Sequence, residues 1–400
     1  MRIPGFYKLP FEARQDELQS RHDLTEADTN TLNAGGLSLQ DADRLVENAV
    51  GLYNMPLGIG LNFIINGREF AVPMAVEEPS VIAAASNAAR MVREGGGFMA
   101  ESDESVMTAQ VEILEVPDLG LARERIEAAR NAIFIAADEI VPRLKARGGG
   151  IRDLEVRIPR PSNGKSTDRR LVVHLYIDCR DAMGANLVNT VAEGIAAQLA
   201  SIAGGRAGLR ILSNLTDRRC VRVRARIPAK VLGSEDIDGV EAAREIASAS
   251  RFAEDDPYRA ATHNKGIMNG VDAVVLATGN DWRGVEAGAH AYAARTGVYR
   301  PLCTWKFVEN DGAWLEGYLE MPMAVGIVGG TLSHHGGARL SLKLLGAQNA
   351  GELGMVVAAT GMASNLAALR VLATEGIQRG HMRCHRRATG IPAAPEKAPG

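Results

Sequence analysis

The chain has 400 residues, 46% hydrophobic and 23% charged, the composition of a globular protein large enough for two or three domains with substantial cores. A formal net charge of −3, with arginines scattered along the chain, excludes the basic footprint that nucleic-acid binding requires. Cys179, Cys220, Cys303 and Cys384 lie far apart and form no CxxC pair, which predicts reduced thiols and a cytoplasmic setting.

The N-terminus, MRIPGFYKLPFEARQDEL, is charged throughout and lacks the apolar run of a secretory signal, so neither export nor a membrane partner is expected. Over 38–51, Leu39, Ala42, Leu45, Val46 and Val50 recur at helical spacing, predicting a helix that leads into a glycine-rich turn at 56–60. A strand over 62–65 and a two-residue hairpin turn at Asn66 and Gly67 follow. Glu78 and Pro79 open an alanine-rich run to Val92 that predicts a helix stopped by the glycines at 95–97.

From Val106 the pattern changes. An alternating strand to Val116 precedes a long helix over 121–147, closed by the glycines at 148–150, and strands are predicted at 151–158 and 171–178. A second helix after Asp181 and a strand at 209–212 complete a β-α-β-β-α-β order, that of a ferredoxin-like split unit with an antiparallel sheet. The expected fold class is therefore α+β: a large mixed helix/strand domain over 1–106 and 216–376, with a small ferredoxin-like domain inserted at 107–215. No GxGxxG follows a strand, so a Rossmann domain is not expected. The apolar stretch 353–369 contains Thr360, Ser364 and Asn365 and reads as a buried helix rather than a bilayer span.

Three segments carry chemistry. The loop RDAMGANLVNT leads from a strand to a helix, where Gly184 lets the backbone approach a dinucleotide phosphate at the helix N-terminus. Asp181 equally suits the role of helix cap, and the residues alone do not separate the two. The segment DPYRAATHNKGIMNG at 256–270 gathers Arg259, Thr262, His263, Asn264, Lys265 and Asn269 without apolar periodicity, which predicts a ligand-holding segment rather than a core element. Beyond an apolar, strand-like stretch at 271–277, the run ATGNDWR places Asp281 to pair with the Lys265 ammonium; the plainer alternative is a solvated ion pair. The glycines at 326–330 lack the GK[ST] of a phosphate loop and predict close backbone packing. His381, Cys384 and His385 have no fourth ligand at suitable spacing, so no metal site is expected.

Taken with VEEPSVIAAAS around Glu78, RDAMGAN at 180–186 and TEGIQRGHM ending at Met382, these blocks make the chain resemble hydroxymethylglutaryl-CoA reductase of the bacterial, soluble class, from about Pro4 to Met382. The resemblance implies the same inserted small domain and an NAD(P)-dependent oxidoreductase that interconverts hydroxymethylglutaryl-CoA and mevalonate with release of CoA, as a homodimer or higher homo-oligomer. It implies Glu78, Lys265, Asp281 and His381 as the catalytic residues, with Glu78 rather than Glu77 because the family's glutamate directly precedes proline. Lys265 would face oxyanion charge, Glu78 would donate a proton, Asp281 would orient Lys265, and His381 would protonate the departing CoA thiolate. It assigns cofactor binding to Asp181, Met183, Gly184, Ala185 and Asn186. Ser80, Asn214, Arg259, Thr262 and Asn269 would surround the hydroxymethylglutaryl group, and Lys8 would meet a CoA phosphate.

The chain departs from the family at two places. After Met382 it reads RCHRRATGIPAAPEKAPG where the family continues as a helical flap, so 377–400 is expected to be a truncated remnant. That tail leaves an alternative reading, an acyl-CoA-binding homologue with impaired turnover; a more generic one is another CoA-dependent dehydrogenase. Second, the family position for an acid that reads the adenosine ribose is Val141 here, with Asp138 and Glu139 just before it and Arg143, Lys145 and Arg147 just after. Either NAD or NADP then fits, with discrimination expected below roughly a hundredfold.

Overall fold

Residues 1–159, 169–234 and 236–374 are described in the structure, a computed structural model. Three short helices, α1 (Phe11–His22), α2 (Glu26–Asn33) and α3 (Leu39–Leu45), begin the fold. The expected helix over 38–51 starts where predicted, with the Ser38 hydroxyl accepting from Asp41 N–H, but stops at Leu45. Val46 and Val50 are exposed, so the residues that would have extended the apolar face find nothing to pack against, and a short helix without tertiary burial does not persist.

The expected turn at 56–60 is instead the start of a strand. β1 (Leu57–Ile65) pairs antiparallel with β2 (Arg68–Ala75) through the predicted Asn66–Gly67 turn, whose φ values of 49° and 79° are those of a type I′ hairpin. Gly58 serves packing rather than turning: a Cβ there would lie 2.6 Å from the Ile82 side chain. Ile82 belongs to α4 (Val81–Arg93), which lies against β1 and ends before the predicted glycines.

β3 (Phe98–Ser102) leads into the antiparallel four-stranded sheet. β4 (Val106–Leu114) is followed by three helices, α5 (Leu119–Ala128), α6 (Arg130–Ile140) and α7 (Pro142–Ala146), where one long helix was expected. The first break is Ala129 at φ −86°, ψ 4°; the second is Val141 at φ −123°, ψ 56°, driven out of the α region by the ring of Pro142. β5 (Gly150–Arg157), β6 (Leu171–Asp178), α8 (Ala185–Ala203) and β7 (Arg206–Leu212) complete the β-α-β-β-α-β order. The strands line up as β5-β6-β4-β7, each antiparallel to its neighbour. One face buries Val111, Val173, Leu175 and Ile177 against Val191, Ile195 and Leu199 of α8 in a core of its own.

β8 (Cys220–Pro228) returns the chain to the larger sheet beside β3, and Asp103 N–H donates to Cys220 O at 2.9 Å. The remaining elements are α9 (Gly239–Asp255), α10 (Pro257–Ala277), α11 (Trp282–Ala293), β9 (Cys303–Glu309), β10 (Ala313–Pro322), α12 (Gly336–Leu345) and α13 (Ala350–Thr374). The larger sheet runs β2-β1-β3-β8-β10-β9. α13 contains the predicted buried helix and is long and apolar enough to cross a membrane by composition, yet Leu353, Val356, Val357, Met362 and Leu366 are buried against α4, α9 and α10.

The segment 256–277 is a single helix, α10, and not an irregular ligand loop followed by a strand. Ala260, His263, Asn264, Ile267, Met268, Val271, Val274 and Val275 form its buried face at three- and four-residue spacing. The two polar members concealed that periodicity. They are buried because the chain entering β9 satisfies them: His263 Nε2 lies 2.9 Å from Cys303 O, Asn264 Nδ2 donates to Arg300 O at 3.0 Å, and Asn264 Oδ1 accepts Leu302 N–H at 2.9 Å. Burial pushes the His263 imidazole down to about 4, so it is neutral in the physiological range.

Candidate active site

The helical form of α10 turns a mixed segment into an ordered display. At 100° per residue, Arg259, Thr262, Lys265 and Asn269 share one stripe opposite the buried face. Asp256 fixes the start of the helix by accepting Arg259 N–H at 2.8 Å, with Pro257 in the first turn. Facing the stripe is the N-terminus of α4, where Ser80 adopts a left-handed backbone (φ 79°) and makes no side-chain cap. Glu78, just before it, accepts a hydrogen bond from Lys265 Nζ at 3.0 Å. Lys265 is 62% and Glu78 34% exposed, so the pair lies open to a ligand. Glu77 is exposed and has no such partner among the described residues.

Asp281 does not pair with Lys265. It is the N-cap of α11, accepting Gly284 N–H at 3.1 Å, and Arg283 lies 3.9 Å away. The ATGN turn that ends α10 carries the carboxylate past Lys265 to the wall of a cleft of about 430 Å³. Asn214 belongs to this second group, because its amide and the Asp281 carboxylate both border Gly284. The same cleft is lined by Met183, Gly184, Ala185 and Asn186, so the loop expected to bind cofactor and Asp281 share one cavity.

Gly184 is the N-cap of α8 at φ 109°, and a Cβ there would sit 2.5 Å from Cys179 Sγ. No side chain caps α8, which leaves the first N–H groups of that helix facing the cleft. Asp181 does not cap α8: its carboxylate accepts Ala350 N–H at 3.0 Å, at the start of α13, and the residue lines a second, adjoining cleft rather than this one. The glycines at 326–330 divide. Gly326 packs on the loop, with its would-be Cβ 2.3 Å from Met183 N, whereas Gly329 and Gly330 have open space and line the cleft.

A second cleft of about 890 Å³ shares Ala182, Leu187 and Val328 with the first, so the two are continuous. Arg143, Arg147, Arg180, Ser102 and Ser105 line it. Asp138 is unavailable to a ligand, being bonded to Lys145 at 2.5 Å and to Ile151 N–H at 3.0 Å, and Val141 is buried. Among the described residues neither Arg143 nor Arg147 has an ion-pair partner.

Sequence reading missed Asn280 and Arg219. Asn280 binds Gly326 at both main-chain atoms, at 2.8 and 3.1 Å, and only its place in the ATGND run pointed to it. Arg219 is buried beneath the loop, and nothing in the run DRRC distinguishes it from exposed Arg218. Lys8 is exposed beside the Tyr7 ring and, among the described residues, makes no hydrogen bond or ion pair with the other candidates. His381, Cys384, His385 and the expected remnant at 377–400 lie outside the described residues.

The model of the family described as hydroxymethylglutaryl-coenzyme A reductase matches residues 10–386. A 3-hydroxy-3-methylglutaryl-coenzyme A reductase of Archaeoglobus fulgidus is 47% identical over 392 residues, covering 98% of this chain and 87% of the relative. A probable reductase of the same name from Borreliella burgdorferi is 35% identical over 381 residues, covering 95% and 84%. A solved structure of the class II reductase from Streptococcus pneumoniae, bound to NADPH in open conformations, superposes with a TM-score of 0.88 at 38% identity, covering 94% of this chain and all of that one. The mixed α+β architecture, the paired Glu78 and Lys265 and these matches agree: the chain belongs to the hydroxymethylglutaryl-coenzyme A reductase family.

Proposed function

We propose that the protein is a hydroxymethylglutaryl-CoA reductase, converting the thioester and two reduced nicotinamide dinucleotides to mevalonate, free CoA and the oxidised cofactors, with uptake of two protons. The observation that carries this reading is the open Lys265–Glu78 pair, at 3.0 Å, on the polar stripe of α10. Cofactor binding is supported by a cradle that only glycine fits at Gly184, open space at Gly329 and Gly330, and an uncapped helix N-terminus suited to phosphate. When bound there, the nicotinamide supplies hydride to the thioester carbon and then to the aldehyde carbon.

The chain's own residues handle the charge and protons. Lys265 faces each oxygen as it becomes anionic, and a fixed ammonium stabilises that charge most when it is fully developed. Glu78, which takes up a proton from solvent on its open side, passes it to the alkoxide to make the alcohol, within reach of the same oxygen through its bond to Lys265. Asp281 completes the set as an acceptor on the cleft wall rather than as the ion-pair partner of Lys265. His381 protonates the CoA thiolate. Arg259, Thr262, Asn269, Ser80 and Asn214 hold the hydroxymethylglutaryl group, Arg259 by two-point bonding to its carboxylate, and Lys8 meets a CoA phosphate. The unit at 107–215 is the inserted cofactor domain, 1–106 with 216–376 the catalytic domain, and the enzyme a cytoplasmic homodimer or higher homo-oligomer.

The test is consumption of NADPH with hydroxymethylglutaryl-CoA, alongside calorimetry with the same thioester. The expected result is two NADPH oxidised per mevalonate formed; binding without turnover would overturn the reading. A preference for NADPH is supported by the second cleft, where Arg143 and Arg147, in no ion pair among the described residues, suit a 2′-phosphate, although Glu104 also lines it. Charge-assisted bonds worth about 1–3 kcal/mol give NADPH a preference of roughly ten- to a hundredfold in kcat/KM. Replacing both arginines with alanine is expected to erase it, and a wild-type preference for NADH would refute the assignment.

A further inference from the structure

Arg219 lies in the link between β7 and β8 and is 4% exposed. Its guanidinium is within ion-pair distance of no carboxylate among the described residues. Asp178 and Asp181 act on it only from beyond contact distance, so a cation this buried persists because hydrogen-bond acceptors replace water. Those acceptors are main-chain carbonyls of two different segments. Nη1 donates to Met183 O at 2.9 Å and, more loosely, to Ala182 O at 3.4 Å, while Nη2 donates to Val325 O. The first two belong to the loop before α8, the third to the segment after β10, and both segments line the cleft around Asp281. The two are also stitched directly, by Ile327 N–H donating to Asp181 O at 2.9 Å and by a parallel bridge between Ala182 and Val328.

We propose that Arg219 is a positioning residue for the dinucleotide: it draws the Met183 and Val325 carbonyls inward and so sets the backbone donors and the width of the cleft. The geometry follows from the planar trans peptide, in which C=O and the next N–H point in opposite directions. With Met183 O turned onto Arg219, Gly184 N–H points away from it, beside the open amides of the α8 N-terminus. The cation adds a second effect. It lies beneath the loop and outside water, so its positive charge adds to the potential at the cleft and offsets the nearby carboxylates of Asp178 and Asp181. Burial lowers the guanidinium only to about 10, which leaves it charged under physiological conditions.

This inference rests on the cofactor occupying this cleft, and the experiment separates the two. Arg219→Met and Arg219→Lys are compared with wild type by thermal melting, by quenching of tryptophan fluorescence with NADPH, and by steady-state kinetics. Arg219→Met is expected to raise Kd and KM for NADPH by roughly tenfold or more while KM for hydroxymethylglutaryl-CoA stays within about twofold. Arg219→Lys keeps the charge but one ammonium does not span all three carbonyls, so a smaller rise in the same direction is expected; it carries the test if Arg219→Met does not fold. Unchanged NADPH binding in a folded variant, or an equal rise for both substrates, overturns the positioning role. Asn186→Asp is the control for the underlying reading: it puts a carboxylate on the exposed first turn of α8, where acids favour the helix but repel phosphate. If Asn186→Asp leaves NADPH binding unchanged, the cofactor lies elsewhere, whatever Arg219 does.

Discussion

Lys265→Ala is expected to lower kcat by roughly a hundredfold or more, because oxyanion stabilisation of about 3 kcal/mol is lost in a step where charge appears only as hydride arrives. KM for the thioester should change far less, since the ground-state carbonyl carries no such charge. Folding should survive: the Lys265–Glu78 pair is largely exposed, and exposed pairs contribute at most about 1 kcal/mol. Steady-state kinetics in the mevalonate-forming direction, with a thermal melt of the same sample, decide the matter. A well-folded variant with near-normal kcat would remove Lys265 from the mechanism.

Glu78→Gln should cost a similar amount for a different reason. The amide preserves the shape of the side chain and an acceptor for Lys265, but it has no acidic proton to deliver, and positioned general acids supply roughly a hundredfold or more. Glu77→Gln is the internal control, because Glu77 is exposed and out of contact with Lys265. Equal losses in the two variants would mean that local charge, and not the proton on Glu78, is what matters.

Much of the fold was legible because its signals were local. The Asn66–Gly67 hairpin, the alanine-rich helix after Pro79 and the alternating strands of the smaller sheet each follow from residues a few positions apart. The failures have equally specific causes. α10 was misread because His263 and Asn264 occupy its buried face, and the carbonyls that satisfy them lie on residues 300–303, out of reach of any local pattern. The break at Val141 is encoded locally, because the Pro142 ring drives its predecessor out of the α region, even though the segment otherwise predicts one helix up to the glycines at 148–150. In the site, the Glu78–Lys265 contact spans 187 positions, and spacing alone favoured the nearer Asp281 as partner. Arg219 had no sequence signal, because its role depends on carbonyls, which every residue has.

The point where the chain leaves and re-enters the larger sheet has a further meaning. β3 and β8 are hydrogen-bonded neighbours, and Asp103 and Cys220 are joined by two bonds, N–H to O at 2.9 Å and N–H to carboxylate at 3.0 Å. The span between them therefore begins and ends at a single backbone pair, as a hairpin loop does. Closing such a loop costs only the logarithm of its length, so the larger sheet pays little extra to carry this long excursion, with Asp103 and Cys220 set 117 positions apart, in place of a tight turn. Excising that excursion and joining its ends by a few residues asks for no rethreading of any strand, and a foreign module with adjacent termini meets the same geometric requirement.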